Sequence, residues 1–202
     1  CVDLDMVKRI RALILFLYII FVMFLHAQVF DGFTLFSTYD ITQNSSLLIS
    51  NNQNLIHNWE HEHGPASMPY LMPDSSIIYP YKVQNPSMVA GGVGGGIQSI
   101  KWDGTITWDY TFSDSVYQHH HDIEVMPNGN VLLIVWERKT DTEAYSVGRQ
   151  TIESVLNEIW ASAILELEPE TGDIVWEWHL WDHLIQDIDS SLVNYGIVSE
   201  HP

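Results

Sequence analysis

Three histidines and an aspartate, His119-His120-His121-Asp122, run directly into an apolar segment that Pro127-Asn128-Gly129-Asn130 splits in two. Imidazole titrates near neutrality, so it can serve as general acid, general base, nucleophile or metal ligand. A neighbouring carboxylate fixes an imidazole's tautomer and raises its basicity. Asp122 is placed for that role, with His119 as a further supporting side chain. Regular strand alternation puts His120 and Asp122 on one side and His119 and His121 on the other.

Three readings of these residues stand side by side: a surface cluster without chemistry, a metal site, and acid–base or nucleophilic work by one imidazole in a channel. Imidazole suits Zn or Ni, but adjacent histidines on one strand cannot all chelate one ion. His61 and His63 lie too far upstream for spacing alone to bring them in. No metal and no cofactor is expected.

The elements that must position these side chains read as β-strands. Three segments repeat one pattern: Leu47–Lys82, Ile97–Glu137 and Ala163–Leu184. Each opens with a short strand, a polar turn and a second strand carrying a tryptophan: Trp59, Trp108 and Trp176. In the first two units a linker follows, then an apolar strand, a turn and another apolar strand. Asp103-Gly104 and Asn128-Gly129 are strong hairpin signals because both favour positive φ. Four short strands per unit with a recurring tryptophan point to an all-β propeller, with two full blades and half of a third present. Gln118–Met126 is expected to be the innermost strand of the second blade, with the three histidines at the channel rim. A β-sandwich would suit the length but not the tryptophan register.

Trp108 and Trp176 are farther apart than Trp59 and Trp108, which implies an insertion. Residues 142–160, with Val155, Leu156 and Ile159 at helical spacing, predict a helix there. A second short helix is expected within Asp182–Ile188. The glycine run Gly91–Gly96 (GGVGGG) lacks the spacing of a phosphate loop and fits close backbone packing between blades. His179 and His183 lie in a mainly aromatic strand and its exit, and read as structural.

Met6 opens a short basic run, and Ala12–Leu25 is an unbroken apolar block ending at His26-Ala27-Gln28. This is the pattern of a secretory signal peptide over 6–27, cleaved after Ala27. The block is short for a membrane span, the alternative being an uncleaved anchor. Residues 1–5 read as upstream translation, and residues 28–202 as the front part of a propeller domain. The one cysteine, Cys1, then falls outside the mature chain, which must do without disulfides. Without residues 1–27 the chain keeps five basic and 24 acidic side chains, a net of −19. Such a surface repels phosphate backbones and argues against nucleic acid as a partner.

The stretches HHDIEVMPNGNVLLIVW, HGPASMPYLMPDSSIIYPYK and LELEPETGDIVWEWHLWDHLIQDID, with the closing NYGIVSEHP, resemble the arylsulfotransferase family of secreted bacterial proteins, particularly a branch common in marine Bacteroidetes-type bacteria. The resemblance runs from about Thr34 to Pro202. It implies a six-bladed propeller in the periplasm or outside a Gram-negative cell. It also implies a ping-pong reaction in which a channel histidine takes a sulfuryl group from an aryl sulfate and passes it to a phenol. The family's site includes a histidine of the His-His-Asp motif, which maps to His120 and His121, with His120 favoured. The family's nucleophilic histidine and channel arginine lie in later blades and have no counterpart here; Arg138 and Arg149 do not fill that place. The N-terminal sandwich domain of some members is also missing. The chain is therefore expected to be a fragment, inactive alone. The alternatives are a secreted propeller that binds a ligand or mediates adhesion, and a metal-dependent hydrolase needing further ligands downstream.

Overall fold

The computed structural model describes Met6 and residues 11–18, 30–39 and 42–200. Contacts divide the chain into two units, Cys1–Phe33 and Thr34–Pro202. In the first, residues 11–18 are helical and exposed, while residues 1–5 and the expected cleavage point after Ala27 lie outside the described residues. Among the described residues, no helix is long and apolar enough to cross a membrane.

The second unit is built of antiparallel sheets. A three-stranded sheet comprises β1 (Phe33–Thr38), β2 (Asn44–Ser50) and β3 (Leu55–His61). A four-stranded sheet follows, in the order β4 (Tyr70–Leu71), β5 (Ile77–Lys82), β6 (Gly95–Ile100) and β7 (Ile106–Thr111). The last sheet has β8 (Tyr117–Val125), β9 (Val131–Thr140), β10 (Glu158–Glu168) and β11 (Asp173–His179), again in chain order. Serial four-stranded meanders of this kind are propeller-like. Trp59, Trp108 and Trp176 fall in β3, β7 and β11, the last strand of each sheet, as the tryptophan register requires.

The sheets are cut differently from the sequence units. The strand pair opening each unit closes the sheet begun by the preceding hairpin, so the units run half a sheet out of phase. The incomplete sheet is the first, and Ala163–His179 completes the last. A hairpin signal fixes which strands pair with each other, but not which pairs share a sheet.

β5 shows how the layers stack. Ile77, Tyr79 and Tyr81 alternate onto one face and pack with Leu48 and Trp59 of the first sheet. Ile78 takes the other face and, with Ile97, meets Ile123, Val131, Leu133, Val135, Ala163, Leu165 and Leu167 of the last sheet. The middle sheet is thus covered on both sides, and its strand reads as an apolar run for that reason. Each such aliphatic side chain contributes about 1.5–3 kcal/mol on burial. Trp59 adds a tie between layers by donating its indole N–H to Lys101 O at 3.0 Å.

The first hairpins of the two larger sheets repeat with a displacement of 54 residues. Pro65 opposite Tyr81 and Tyr70 opposite Ile78 correspond to His119 opposite Val135 and Glu124 opposite Leu132. In both, the first strand carries two residues more than its partner, which is a β-bulge. Pro80 borders the first bulge: its carbonyl accepts from Ala66 N there. Its missing N–H points the same way, to a place where no ladder bond is needed.

The predicted helix over 142–160 is confined to Asp141–Ser146. Thr140 caps it, accepting from Glu143 N, while the Glu143 carboxylate accepts from Thr140 N. Val155 and Leu156 lie in an exposed turn and Ile159 already belongs to β10. Their three-residue rhythm has no facing apolar surface to bury against, and a helix this short needs one. The second expected helix is a single 3-10 turn, Leu180–His183.

Candidate functional site: an imidazole cluster on a strand bulge

The Asn128-Gly129 turn sets the local geometry. Gly129 takes φ of +90°, and its N–H donates to Met126 O. From this turn the ladder runs outward through Val125–Val131, Glu124–Leu132 and Ile123–Leu133. Pairing then breaks and resumes at His119–Val135, leaving His120, His121 and Asp122 opposite Ile134 alone. His121 takes φ of +59°, a left-handed conformation that non-glycine residues adopt at a cost of about 1–2 kcal/mol.

The bulge separates the three histidines. His119 is fully buried, with its Nδ1 accepting from Gly95 N at 3.1 Å. His120 is also buried and stacks on Trp136, with ring centroids 4.4 Å apart. His121 is exposed. His120 and His121 meet almost at right angles, Nδ1 to Nδ1 at 2.8 Å. This corrects two expectations. The histidines are not all at a solvent-facing rim, and alternation does not separate His120 from His121, because the extra residues turn the backbone between them. Asp122 is exposed and its carboxylate accepts from Ile123 N; among the described residues that carboxylate makes no hydrogen bond to an imidazole. The tautomer-fixing partner of one histidine is the next histidine.

Burial lowers the pKa of His119 to about 4, helped by His120 and opposed by the Asp122 backbone and carboxylate. Burial likewise lowers His120 to about 4, with His121 adding to the effect and the Val135 backbone opposing it. Both rings are therefore neutral at pH 7. The Nε2 atoms of both are sealed from solvent and lack a hydrogen-bond partner.

The glycine run is the bed on which the cluster lies. A Cβ on Gly94 would come within 2.6 Å of His119 Nδ1, and one on Gly92 within 2.5–2.7 Å of three His121 ring atoms. Gly94 N donates to His119 O and His121 N to Gly92 O, which ties the segment to β8. Close packing was legible in GGVGGG; that the packed objects are the imidazoles was not. Trp136 also escaped notice. Counting outward from the Asn128-Gly129 turn in regular register places it opposite His120, a signal the sequence did hold.

His61 and His63 do not join the cluster. His61 stacks on Tyr79 at 3.7 Å and bonds Ser46 Oγ at 2.7 Å, and burial lowers its pKa to about 4. His63 stacks on Tyr81 at 4.6 Å. Both serve the packing of β5. Arg138 is held by Glu158 at 3.1 Å and donates to Ser87 O at 2.8 Å, a structural role.

A second charged group lies at the same end of the last sheet. Glu137 is buried and reaches Lys139 Nζ at 2.7 Å and His179 Nδ1 at 3.2 Å. Burial alone would lower His179, but the hydrogen bond and charge of Glu137, then those of Glu177, outweigh it and raise its pKa. Among the described residues, no group of three His, Cys, Asp or Glu side chains is arranged to hold a metal ion.

Serial antiparallel sheets with an imidazole cluster on the first hairpin of the last sheet define a propeller-like, all-β protein. The family model of the arylsulfotransferases (ASST) matches residues 82–195, more than half of the chain and including the whole cluster with its glycine bed. The chain belongs to the arylsulfotransferase family. No curated protein matches it.

Proposed function

We propose that this chain carries the part of an exported aryl-sulfate sulfotransferase that handles protons and orients the sulfuryl group. The observation that carries the reading is the His120–His121 pair, in direct contact and within the family match. Family membership supports aryl sulfotransferase-type activity on small-molecule aryl sulfates and phenols.

The chemistry follows in two displacements. A neutral histidine nitrogen attacks sulfur, an N–S bond forms, the S–O ester bond breaks, and the leaving phenolate takes a proton from an acid in the site. The acceptor phenol then loses its proton to the same group, attacks sulfur, and releases the histidine. Donors aimed at the sulfuryl oxygens stabilise the charge that develops there. The His120–His121 pair fits the proton-handling part, since a neutral imidazole offers a lone pair on one ring nitrogen and an N–H on the other. The histidine that carries the sulfuryl group has no counterpart in residues 1–202, and on this reading those residues alone are inactive. The leader over 6–27 directs the protein to the periplasm or beyond the cell, and N-terminal sequencing of the exported protein would find residue 28 first.

The test uses the protein made from the complete gene, with 4-nitrophenyl sulfate as donor and phenol as acceptor. Phenol-dependent release of nitrophenolate, with transfer of sulfate to phenol, is the expected result. Binding of aryl sulfates without any transfer to phenols would overturn the reading in favour of a ligand-binding propeller.

A further inference from the structure

Of the six ring nitrogens in His119–His121, five are engaged or sealed. His119 Nδ1 accepts from Gly95 N, and His119 Nε2 is buried. The two Nδ1 atoms of His120 and His121 face each other, and His120 Nε2 is buried as well. Only His121 Nε2 remains, on an exposed ring, with no hydrogen bond to any described residue.

The 2.8 Å contact also constrains the protons. Two neutral imidazoles that meet Nδ1 to Nδ1 share one hydrogen between those atoms. Placing that hydrogen on His121 Nδ1 fixes the remaining roles. His120 Nδ1 is then the acceptor, His121 Nδ1 the donor, and His121 Nε2 a free lone pair.

We propose that His121, rather than His120, is the histidine that meets the substrate, with Nε2 as the base toward the acceptor phenol. His120 is a positioning residue that fixes the tautomer of His121 from its seat on Trp136. The assignment rests on the sulfotransferase reading for its substrate, but its geometry stands apart from it. In the acceptor step the phenol O–H bond breaks and a bond forms from hydrogen to His121 Nε2. The oxygen's electron pair goes to sulfur, and the imidazolium keeps its Nδ1–H toward His120. The Nε2–H gained there passes to the departing phenolate in the donor step of the next turnover, which restores the free lone pair; before the first turnover solvent supplies that proton. Gly92 makes the arrangement possible, because any side chain there would press on the ring beside Nε2.

Two measurements on the folded chain need no turnover. Carbethoxylation with diethyl pyrocarbonate, mapped by mass spectrometry, should modify His121 well before His119 or His120. Modification of His120 first, or of both together, would overturn the proposal. Imidazole 15N spectra should show an unprotonated Nε2 on His121 and a protonated Nε2 on His120; the reverse pattern also overturns it.

In the protein from the complete gene, His121→Asn, which suits the left-handed backbone, should lower transfer to phenol by about 100-fold or more. His120→Ala should lower it by about tenfold and displace the pH profile, with partial rescue by His120→Gln. A more severe loss for His120→Ala than for His121→Asn overturns the assignment. Absence of transfer by the unaltered protein would sink the sulfotransferase reading instead, leaving the modification and 15N results to decide the geometry.

Discussion

The His121 imidazole lies directly against Gly92: a Cβ on that glycine would sit 2.5 Å from ring Cε1 and 2.6 Å from Nε2. The same two residues share a backbone bond, His121 N donating to Gly92 O. Ring and backbone are locked together across the strand gap. Gly92 also has φ of +79°, so it is constrained twice. Gly92→Ala should destabilise the fold by about 1–3 kcal/mol. Urea denaturation measures this, and the imidazole 15N signals of His120 and His121 should shift together. A variant as stable as the parent with unmoved signals would refute the contact.

Gly96 poses a different problem. Its Cβ would fall 2.0 Å from Cζ of Tyr81, a buried ring whose hydroxyl donates to Asp109 Oδ1 at 2.7 Å. Gly96→Ala should cost about 1–3 kcal/mol through overpacking. Gly104 has open space around it and only its φ of +86° to lose, so Gly104→Ala should cost about 1 kcal/mol. Equal melting temperatures for the two variants would show that Tyr81 yields more easily than its hydrogen bond allows.

Glu137 holds a lysine and a histidine from a buried position. Glu137→Gln removes the charge and leaves Lys139 and the His179 ring with a neutral neighbour. The His179 pKa, raised chiefly by Glu137 against the effect of burial, should drop toward its ordinary value. Titration of the His179 ring by NMR would show this. Breaking a buried pair by removing one partner is costly, and a loss of about 3 kcal/mol or more is expected.

Acid should weaken the fold in a defined window. His61, His119 and His120 have pKa values lowered to about 4, against about 6.5 in the unfolded chain. Between those values the unfolded chain binds protons that the folded chain refuses. Stability is therefore intact above pH 6.5 and declines as pH falls toward 4. His179 acts in the opposite sense: its contribution is complete below 6.5 and is lost as pH rises through its raised value. Urea midpoints at pH 6.5, 5 and 4 should decrease in order, and less steeply for His61→Gln. A midpoint unchanged over that range would contradict neutral burial of these rings.

The strands, their turns and the tryptophan positions were legible because they follow from short-range rules. Asn128-Gly129 and Asp103-Gly104 form the hairpins their sequences require, and Trp59, Trp108 and Trp176 each end a sheet. Grouping strands into sheets was not legible, since it depends on which faces of β5 are covered, a long-range matter. The cluster was found as a set of residues and misjudged as a shape. Alternation is a property of regular strands, and nothing in His119–Asp122 announces two extra residues. The positive φ of His121 is paid back by contacts with Gly92, which lies far back along the chain.

The repeated bulge makes the cluster portable. An excess of two residues is even, so inward and outward positions resume in phase, and His119 and Ile123 are both buried on either side of it. The preceding sheet has the same excess at the corresponding place, yet there the positions of His120, His121 and Asp122 are filled by Ala66, Ser67 and Met68. The backbone is thus a shared socket, and the side chains are what is plugged into it. On such a scaffold, new chemistry can arise by substitution within one bulge while the ladders on both sides keep their register.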